Sequence, residues 1–130
     1  MSSGVSDLVR NSRAISRAIN RISQLQRQTG LEHGFVVYNS AIFGMRVGSI
    51  TAGTSEAGWT APKGASIMSS LHAGAGLMFV HSHPSASGGY ELGLSGRDIS
   101  NGDQAYSFGL SEGMTVAVQD GGLFCSRGKF

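Results

Sequence analysis

The sequence predicts an α/β (α+β) domain in which a mixed central β-sheet is flanked by helices. Three observations predict this fold class: a helical apolar repeat near the N-terminus, several short apolar runs rich in β-forming residues, and a hairpin signal near the C-terminus. The chain has 130 residues, of which 40% are apolar types. No run of consecutive apolar residues approaches the length of about eighteen that a membrane span requires. We therefore expect a single domain over 1–130, with a basic N-terminal helix over 1–30 and a sheet-containing core over 31–130.

The N-terminal segment is predicted to form an amphipathic helix. Ser6 is a candidate N-cap, and the helix is expected to run to about Gln28, with Gly30 as its stop. Apolar residues gather on one side of this helix and arginines on the other. We favour a core-packing helix with a solvated arginine face over a nucleic-acid-binding surface, because charged helix faces are usually solvated. The apolar set is Leu8, Ile15, Ile19, Ile22 and Leu25, and the basic set is Arg10, Arg13, Arg17 and Arg21.

The remaining chain alternates between strand and helix signals. Short apolar runs bounded by glycine or polar residues predict buried strands, and Asp120-Gly121 predicts a hairpin turn. Pro62 and Ser95 are candidate starts of two further helices, over 63–72 and 95–106. Strands are expected over 34–38, 42–50, 77–80, 114–118 and 123–127, with a weak strand or loop over 51–60.

Charge and cysteine content exclude several classes of protein. The first 31 residues hold five arginines against one acidic residue, Asp7, although the net charge of the whole chain is only +2. The single cysteine, Cys125, excludes an internal disulfide and a Cys-ligated zinc site, and we expect it to be a buried thiol. The N-terminus has no apolar signal region. The chain as given is therefore expected to be cytoplasmic, or to be delivered as part of a larger protein.

The candidate chemistry follows the strand predicted over 77–80. His81 and His83 are two residues apart, so in a continuing strand both imidazoles project to the same side, as two ligands of one metal must. Ser95 and Asp98 share a side of the third predicted helix, and the carboxylate of Asp98 could complete a His, His, Asp set. Three protein ligands leave one position for water, which is the arrangement of a catalytic zinc. A Ser-x-x-Asp pattern is also an ordinary helix cap.

Hydrolysis at such a site needs a residue that moves a proton and a residue that stabilises an oxyanion. Glu32 directly precedes the first buried strand and could act as the general acid/base. Ser95 could donate a hydrogen bond to the oxyanion that forms when water attacks a carbonyl. Glu56 and Glu91 remain rivals of Glu32 for the role of base.

This arrangement of residues resembles the JAMM motif of JAB/MPN-type metallopeptidases. The motif consists of an upstream Glu, then His-x-His-Pro, then Ser-x-x-Asp, and it stands here as Glu32, HSHP at 81–84 and SGRD at 95–98. The resemblance spans about residues 30–110. The spacer over 85–94 has ten residues, which is longer than in most eukaryotic members.

The resemblance implies a fold, a cofactor and a reaction. The fold would be the JAB/MPN-like, cytidine-deaminase-like mixed sheet flanked by helices. A zinc ion (Zn²⁺) would be held by His81, His83 and Asp98, with Glu32 as general acid/base and Ser95 steadying the tetrahedral intermediate. The reaction would be hydrolysis of a peptide or isopeptide bond, so the expected partner is a protein or peptide substrate.

The closest resemblance within this superfamily is to bacterial JAB-like domains of Rhs-type polymorphic toxins. It implies that the chain is the effector domain of a larger bacterial protein, with a carrier chain or an immunity protein as a further partner. Two other functions remain open. One is a catalytically silent JAB-like binding module, and the other is a metal-dependent nuclease, although nucleic acid is the less favoured partner.

Overall fold

The computed structural model describes residues 12–40, 44–54, 76–90, 92–96, 98–100 and 115–126. These residues form one long helix, a mixed six-stranded sheet and a short 3-10 turn. In chain order the elements are α1 (Arg13–Thr29), β1 (His33–Ser40), β2 (Gly44–Val47), β3 (Thr51–Ala52), β4 (Gly76–Ser82), the 3-10 turn (Ala86–Gly88), β5 (Thr115–Gln119) and β6 (Gly122–Cys125). The predicted mixed sheet with a flanking helix is confirmed.

Helix α1 begins later than the sequence analysis predicted. Ser12, not Ser6, is the N-cap: its backbone is extended (φ −124°, ψ 110°), and its Oγ accepts a hydrogen bond from the Ile15 backbone N–H at 3.2 Å. The predicted helix over 1–30 is therefore wrong at its start, and residues 1–11 lie outside the described residues. The stop at Gly30 is confirmed, since Gly30 has φ 73° and its N–H donates to the Gln26 carbonyl at 2.9 Å.

The two sides of α1 have the predicted character. Its buried side packs on one face of the sheet, because an apolar stripe at helical spacing loses contact with water there. The described arginines Arg13, Arg17 and Arg21 are exposed on the opposite side. The core between helix and sheet consists of Ile15, Ala18, Ile19, Ile22, Phe35, Val37, Met78, Val80, Val116 and Val118.

The sheet has the strand order β2-β1-β4-β5-β6, and the short β3 pairs with β1 beside β2. β1 is antiparallel to β2, β3 and β4, β4 is parallel to β5, and β5 is antiparallel to β6. The predicted strand over 42–50 ends earlier than expected, at Val47, and residues 42–43 lie outside the described residues. Its ladder ends at the pair Val37 and Val47, after which the Gly48 N–H donates to the Val36 carbonyl at 2.7 Å.

The last two strands form the predicted hairpin. Asp120 and Gly121 both have positive φ, 49° and 79°, which matches the twist of a tight two-residue turn.

The predicted helix over 63–72 lies outside the described residues, and so do the residues after 100 in the helix that Ser95 begins. Within the described part of the chain, no helix combines the length and the apolar character needed to cross a membrane.

Candidate metal centre

The two histidines come together because of the alternation of β4. Met78 and Val80 face α1 and the core, and so does Ser82, whose Oγ donates to the Gln26 Oε1 of α1 at 2.8 Å. His81 and His83 have the opposite parity and therefore face the other side of the sheet. Their Nε2 atoms lie 2.9 Å apart, and the predicted projection to one side is confirmed.

Asp98 approaches both histidines from the start of the next helix. Its Oδ1 lies 3.1 Å from Nε2 of His81, and its Oδ2 lies 3.1 Å from Nε2 of His83. Ser95 fixes this carboxylate through a reciprocal cap. The Ser95 N–H donates to Asp98 Oδ2 at 3.0 Å, and the Asp98 N–H donates to Ser95 Oγ at 3.2 Å. The helix-cap interpretation and the ligand interpretation of Ser-x-x-Asp are thus compatible.

Glu32 reaches the same cluster through strand pairing. β1 runs antiparallel to β4 with Gly34 opposite His81, so extension of this register brings Glu32 opposite His83. One ligand atom from each of Glu32, His81 and His83 lies within 4.8 Å of the others, so these three residues are close enough to hold a metal ion. The backbone of Glu32 is fixed from the other side, because its carbonyl accepts from the Gly53 N–H at 2.6 Å.

The electrostatic environment shifts the pKa values of the two carboxylates, Glu32 and Asp98, in opposite directions. Glu32 is only 5% exposed, and burial raises the pKa of its carboxyl group from 4.5 to about 7. The charge of His83 acts in the opposite direction and lowers this pKa. For Asp98, burial alone would raise the pKa, but hydrogen bonds from His81 and His83 lower it well below its usual range. Burial by itself would lower the pKa of His83, but the hydrogen bond with Asp98 and the charges of Asp98 and Glu32 raise this pKa above its usual value. Glu32 is therefore the carboxylate suited to carry a proton near neutral pH, and Asp98 is the one that stays ionised.

The donor set fits a zinc ion. In a tetrahedral zinc site with bonds of about 2.0–2.1 Å, neighbouring ligand atoms lie about 3.3 Å apart. The contacts among His81, His83 and Asp98 are 2.9, 3.1 and 3.1 Å, so all three groups already point at one small volume. Two imidazoles and a carboxylate are donors that zinc commonly takes at catalytic sites.

Several polar residues that the sequence analysis did not single out support this site. Ser82 accepts a hydrogen bond from the His33 N–H at 2.9 Å and donates to Gln26, which ties the start of β1 to β4 and α1. Gln119, at the end of β5, holds the segment after His83 through two hydrogen bonds. A single glutamine that ends an apolar strand is the one signal in the sequence that could have identified Gln119.

Other residues considered from the sequence lie elsewhere. Glu56 and Glu91, the rivals for the role of base, fall outside the described residues. His33 is next to Glu32 in sequence, but its ring Nδ1 is 2.8 Å from the Leu31 carbonyl. Cys125 is half-buried and packs against the edge of the core, so the expected full burial of its thiol is not observed.

A cavity lies on the α1 side of the sheet, opposite the side to which the His81 and His83 rings project, and His83 is the member of the cluster that lines it. Its volume is about 270 Å³, and it lies between the C-terminal part of α1 and the turn between β5 and β6. The walls include Gln26, Arg27, Ser85 and Asp120, which offer both hydrogen-bond donors and acceptors. Comparisons with protein-family models, with curated proteins and with solved structures find no match to this chain.

Proposed function

We propose that this chain is a zinc-dependent hydrolase of the JAMM type that cleaves a peptide or isopeptide bond. The observation that carries the proposal is the convergence of Glu32, His81 and His83 with Asp98. These residues come from three separate parts of the chain. A capped helix start accounts for the pair Ser95 and Asp98, but it does not account for a buried carboxylate and two imidazoles directed at the same volume.

The residues divide into two chemical roles. His81, His83 and Asp98 would hold the zinc ion, because their donor atoms already meet and Asp98 stays ionised at neutral pH. The ion would supply Lewis acidity, which makes water a stronger nucleophile and polarises a carbonyl group.

Glu32 has the properties of the general acid/base. A pKa of about 7 lets its carboxylate take a proton from the attacking water and return it to the leaving amine at neutral pH. Its position within 4.8 Å of the histidine nitrogens supports this role. Glu32 is also close enough to be a metal ligand itself, and its substitution by glutamine distinguishes the two roles. If Glu32 is the base, the variant loses activity and keeps the metal. If Glu32 is a ligand, the variant loses the metal as well.

Ser95 is suited to stabilise the oxyanion. Its Oγ accepts the capping bond from the Asp98 N–H, which leaves the hydroxyl hydrogen to donate to an oxygen of the substrate. A protein or peptide is the substrate class that we propose, because Glu32, HSHP at 81–84 and SGRD at 95–98 resemble the motif of JAMM-type metallopeptidases.

The first experiment is the zinc content of the purified protein, measured by elemental analysis after loosely bound ions have been removed. We expect about one zinc per chain in the wild type and in Glu32→Gln, and a loss of zinc in His81→Ala, His83→Ala and Asp98→Asn. His33→Gln is the matched control, because this histidine is buried and next to Glu32 in sequence, while its ring Nδ1 lies 2.8 Å from the Leu31 carbonyl. No zinc in the wild type, even after incubation with Zn²⁺, would refute the proposal.

The second experiment identifies the bond. Libraries of peptides and of lysine-linked isopeptides are incubated with the zinc-loaded wild type and with Glu32→Gln. Cleavage by the wild type that falls about 10²- to 10⁴-fold in Glu32→Gln would support general acid/base catalysis by Glu32. A protein that binds zinc but cleaves neither library would instead favour the silent binding module, and cleavage of nucleic acid with Mg²⁺ or Mn²⁺ would favour the nuclease.

The toxin context is a further part of the proposal and rests on the resemblance alone. If the chain is an effector domain, its production in the bacterial cytoplasm should arrest growth, and Glu32→Gln should remove the effect. Equal growth with the wild type and the variant would refute this context without affecting the hydrolase proposal.

A further inference from the structure

Gln119 links two points of the chain that lie on either side of the long spacer in the motif. Gln119 lies at the C-terminal end of β5 and is 2% exposed. The side-chain Nε2 donates to the Pro84 carbonyl at 2.8 Å, and the Oε1 accepts from the Gly93 N–H at 2.6 Å. Pro84 directly follows His83, and Gly93 lies two residues before Ser95. One amide group thus holds both ends of the spacer at the metal centre.

The hydrogen bond to Gly93 leads to a metal-ligating side chain. The backbone of Gly93 acts as a hydrogen-bond partner that helps to raise the pKa of His83. Nε2 of His83 is directed at His81 and Asp98, so the ring nitrogen available to donate to the Gly93 carbonyl is Nδ1. A proton on Nδ1 leaves the lone pair of Nε2 for a metal ion. The backbone of Gly93 therefore accepts from the histidine through its C=O and donates to Gln119 through its N–H, and these two groups belong to successive peptide units joined at the Gly93 Cα.

The backbone at Gly93 is also restricted by β6. Gly93 has φ +88°, a left-handed conformation that strongly favours glycine. A Cβ atom at this position would lie 3.2 Å from Cδ1 of Phe124. The backbone at Gly93 is thus confined between the Phe124 ring and the Gln119 amide, and small shifts of Gln119 would be transmitted to His83.

We propose that Gln119 is a positioning residue of the metal centre, which fixes the tautomer and the orientation of His83 through the Pro84 carbonyl and the backbone of Gly93. The inference rests on the proposed function, since it takes His83 to be a zinc ligand. Residues that hydrogen-bond to metal ligands in this indirect way commonly change metal affinity by about 10- to 100-fold when they are replaced. Glutamine suits the position because a buried neutral amide can donate to one backbone group and accept from another at the same time.

The test compares Gln119→Met with a control that removes a different tether of the same spacer. Methionine keeps the length of the side chain but loses both hydrogen bonds. Asp120→Gly removes the carboxylate that accepts from the Ala86 N–H at 3.1 Å, and glycine retains the positive φ of the turn. Zinc affinity is measured by competition with a chromophoric chelator. Hydrogen exchange of the His83 Nδ1 proton is followed by NMR in the zinc-loaded proteins.

We expect Gln119→Met to bind zinc about 10- to 100-fold more weakly than the wild type. The Nδ1 proton of His83 should also exchange faster with solvent, while Asp120→Gly stays within about twofold of the wild type in both measurements. A general loss of stability would not single out the His83 proton. Wild-type affinity and exchange in Gln119→Met, or an equal loss of affinity in Asp120→Gly, would overturn the inference.

A second variant covers a failure of Gln119→Met to fold. Gln119→Glu keeps an oxygen that can accept from the Gly93 N–H, so the His83 proton should remain protected; fast exchange in this variant would overturn the inference. Failure of the inference is distinguishable from failure of the proposed function. A wild type that binds no zinc refutes both, whereas a wild type that binds zinc no better than Gln119→Met refutes only the role of Gln119.

Discussion

Glu32 gives a prediction about stability that does not depend on the identity of the metal or the substrate. Burial raises its pKa from 4.5 to about 7, so between these pH values the folded chain holds a proton that the unfolded chain has lost. The free energy of unfolding of the metal-free protein should therefore fall as the pH rises through this interval. The side chain introduced by Glu32→Gln cannot titrate, so the free energy of unfolding of this variant should not show the decrease that Glu32 causes in the wild type.

The size of the effect follows from the two pKa values. A tenfold change in an acid constant corresponds to about 1.4 kcal/mol, which sets a ceiling of about 3.5 kcal/mol for the Glu32 contribution. Screening by water and by the neighbouring polar groups reduces this value, and we expect about 1–2 kcal/mol. Glu32→Gln should thus match the wild type below pH 4.5 and exceed its stability by about 1–2 kcal/mol above pH 7.

The assay is urea unfolding of chelator-treated protein, followed by far-UV circular dichroism from about pH 4 to about pH 8. The difference between variant and wild type cancels the titration of groups that do not interact with Glu32, and it includes the effect of the Glu32 charge on the pKa of His83. A difference that stays constant across the range, or that favours the wild type at high pH, would refute the claim that burial destabilises the ionised form of Glu32.

Three further pairs of variants test the packing and capping around the site and the core. Ser95→Ala removes the oxygen that accepts from the Asp98 N–H at 3.2 Å and should cost about 1 kcal/mol in thermal unfolding; Ser95→Asn should restore this stability but not peptide cleavage if the hydroxyl contacts the oxyanion. Gly93→Ala should destabilise the protein by about 1–2 kcal/mol more than Gly89→Ala, because both glycines have positive φ but only the new Cβ at Gly93 meets Phe124. Equal midpoints for these two variants would contradict that reasoning. Ile22→Ala should lower the free energy of unfolding by about 2–5 kcal/mol, since Ile22 is fully buried between α1 and the sheet, whereas Asn20→Ala on the exposed side of the same helix should change it by less than about 0.5 kcal/mol.

The sequence by itself determined the features that depend on neighbouring residues. The spacing of Ile15, Ile19 and Ile22 specified the buried side of α1, because a helix returns to the same side every three to four residues. The alternation of β4 specified that His81 and His83 share a side, and the dipeptide Asp120-Gly121 specified the hairpin turn. Local geometry is sufficient for each of these features.

The start of α1 depended on packing rather than on local sequence. Ser6 and Ser12 are both acceptable N-caps, so the sequence alone does not choose between them. Ser12 is 7% exposed and lies one turn before Ile15, where the side of the helix that packs on the sheet begins. The cap at Ser12 is therefore the one that the packed part of the helix uses.

Only the tertiary structure decided how the parts of the candidate site come together. Glu32 and His83 are far apart in the chain, and the antiparallel register of β1 and β4 brings them opposite each other. The raised pKa of Glu32 results from burial, and the contact of Asp98 with both histidines depends on how the segment after β4 folds back. The role of Gln119 likewise depends on β5 lying parallel to β4, which places its amide between Pro84 and Gly93. Contacts of this kind join residues that no local pattern relates, because strand register and burial are properties of the whole fold.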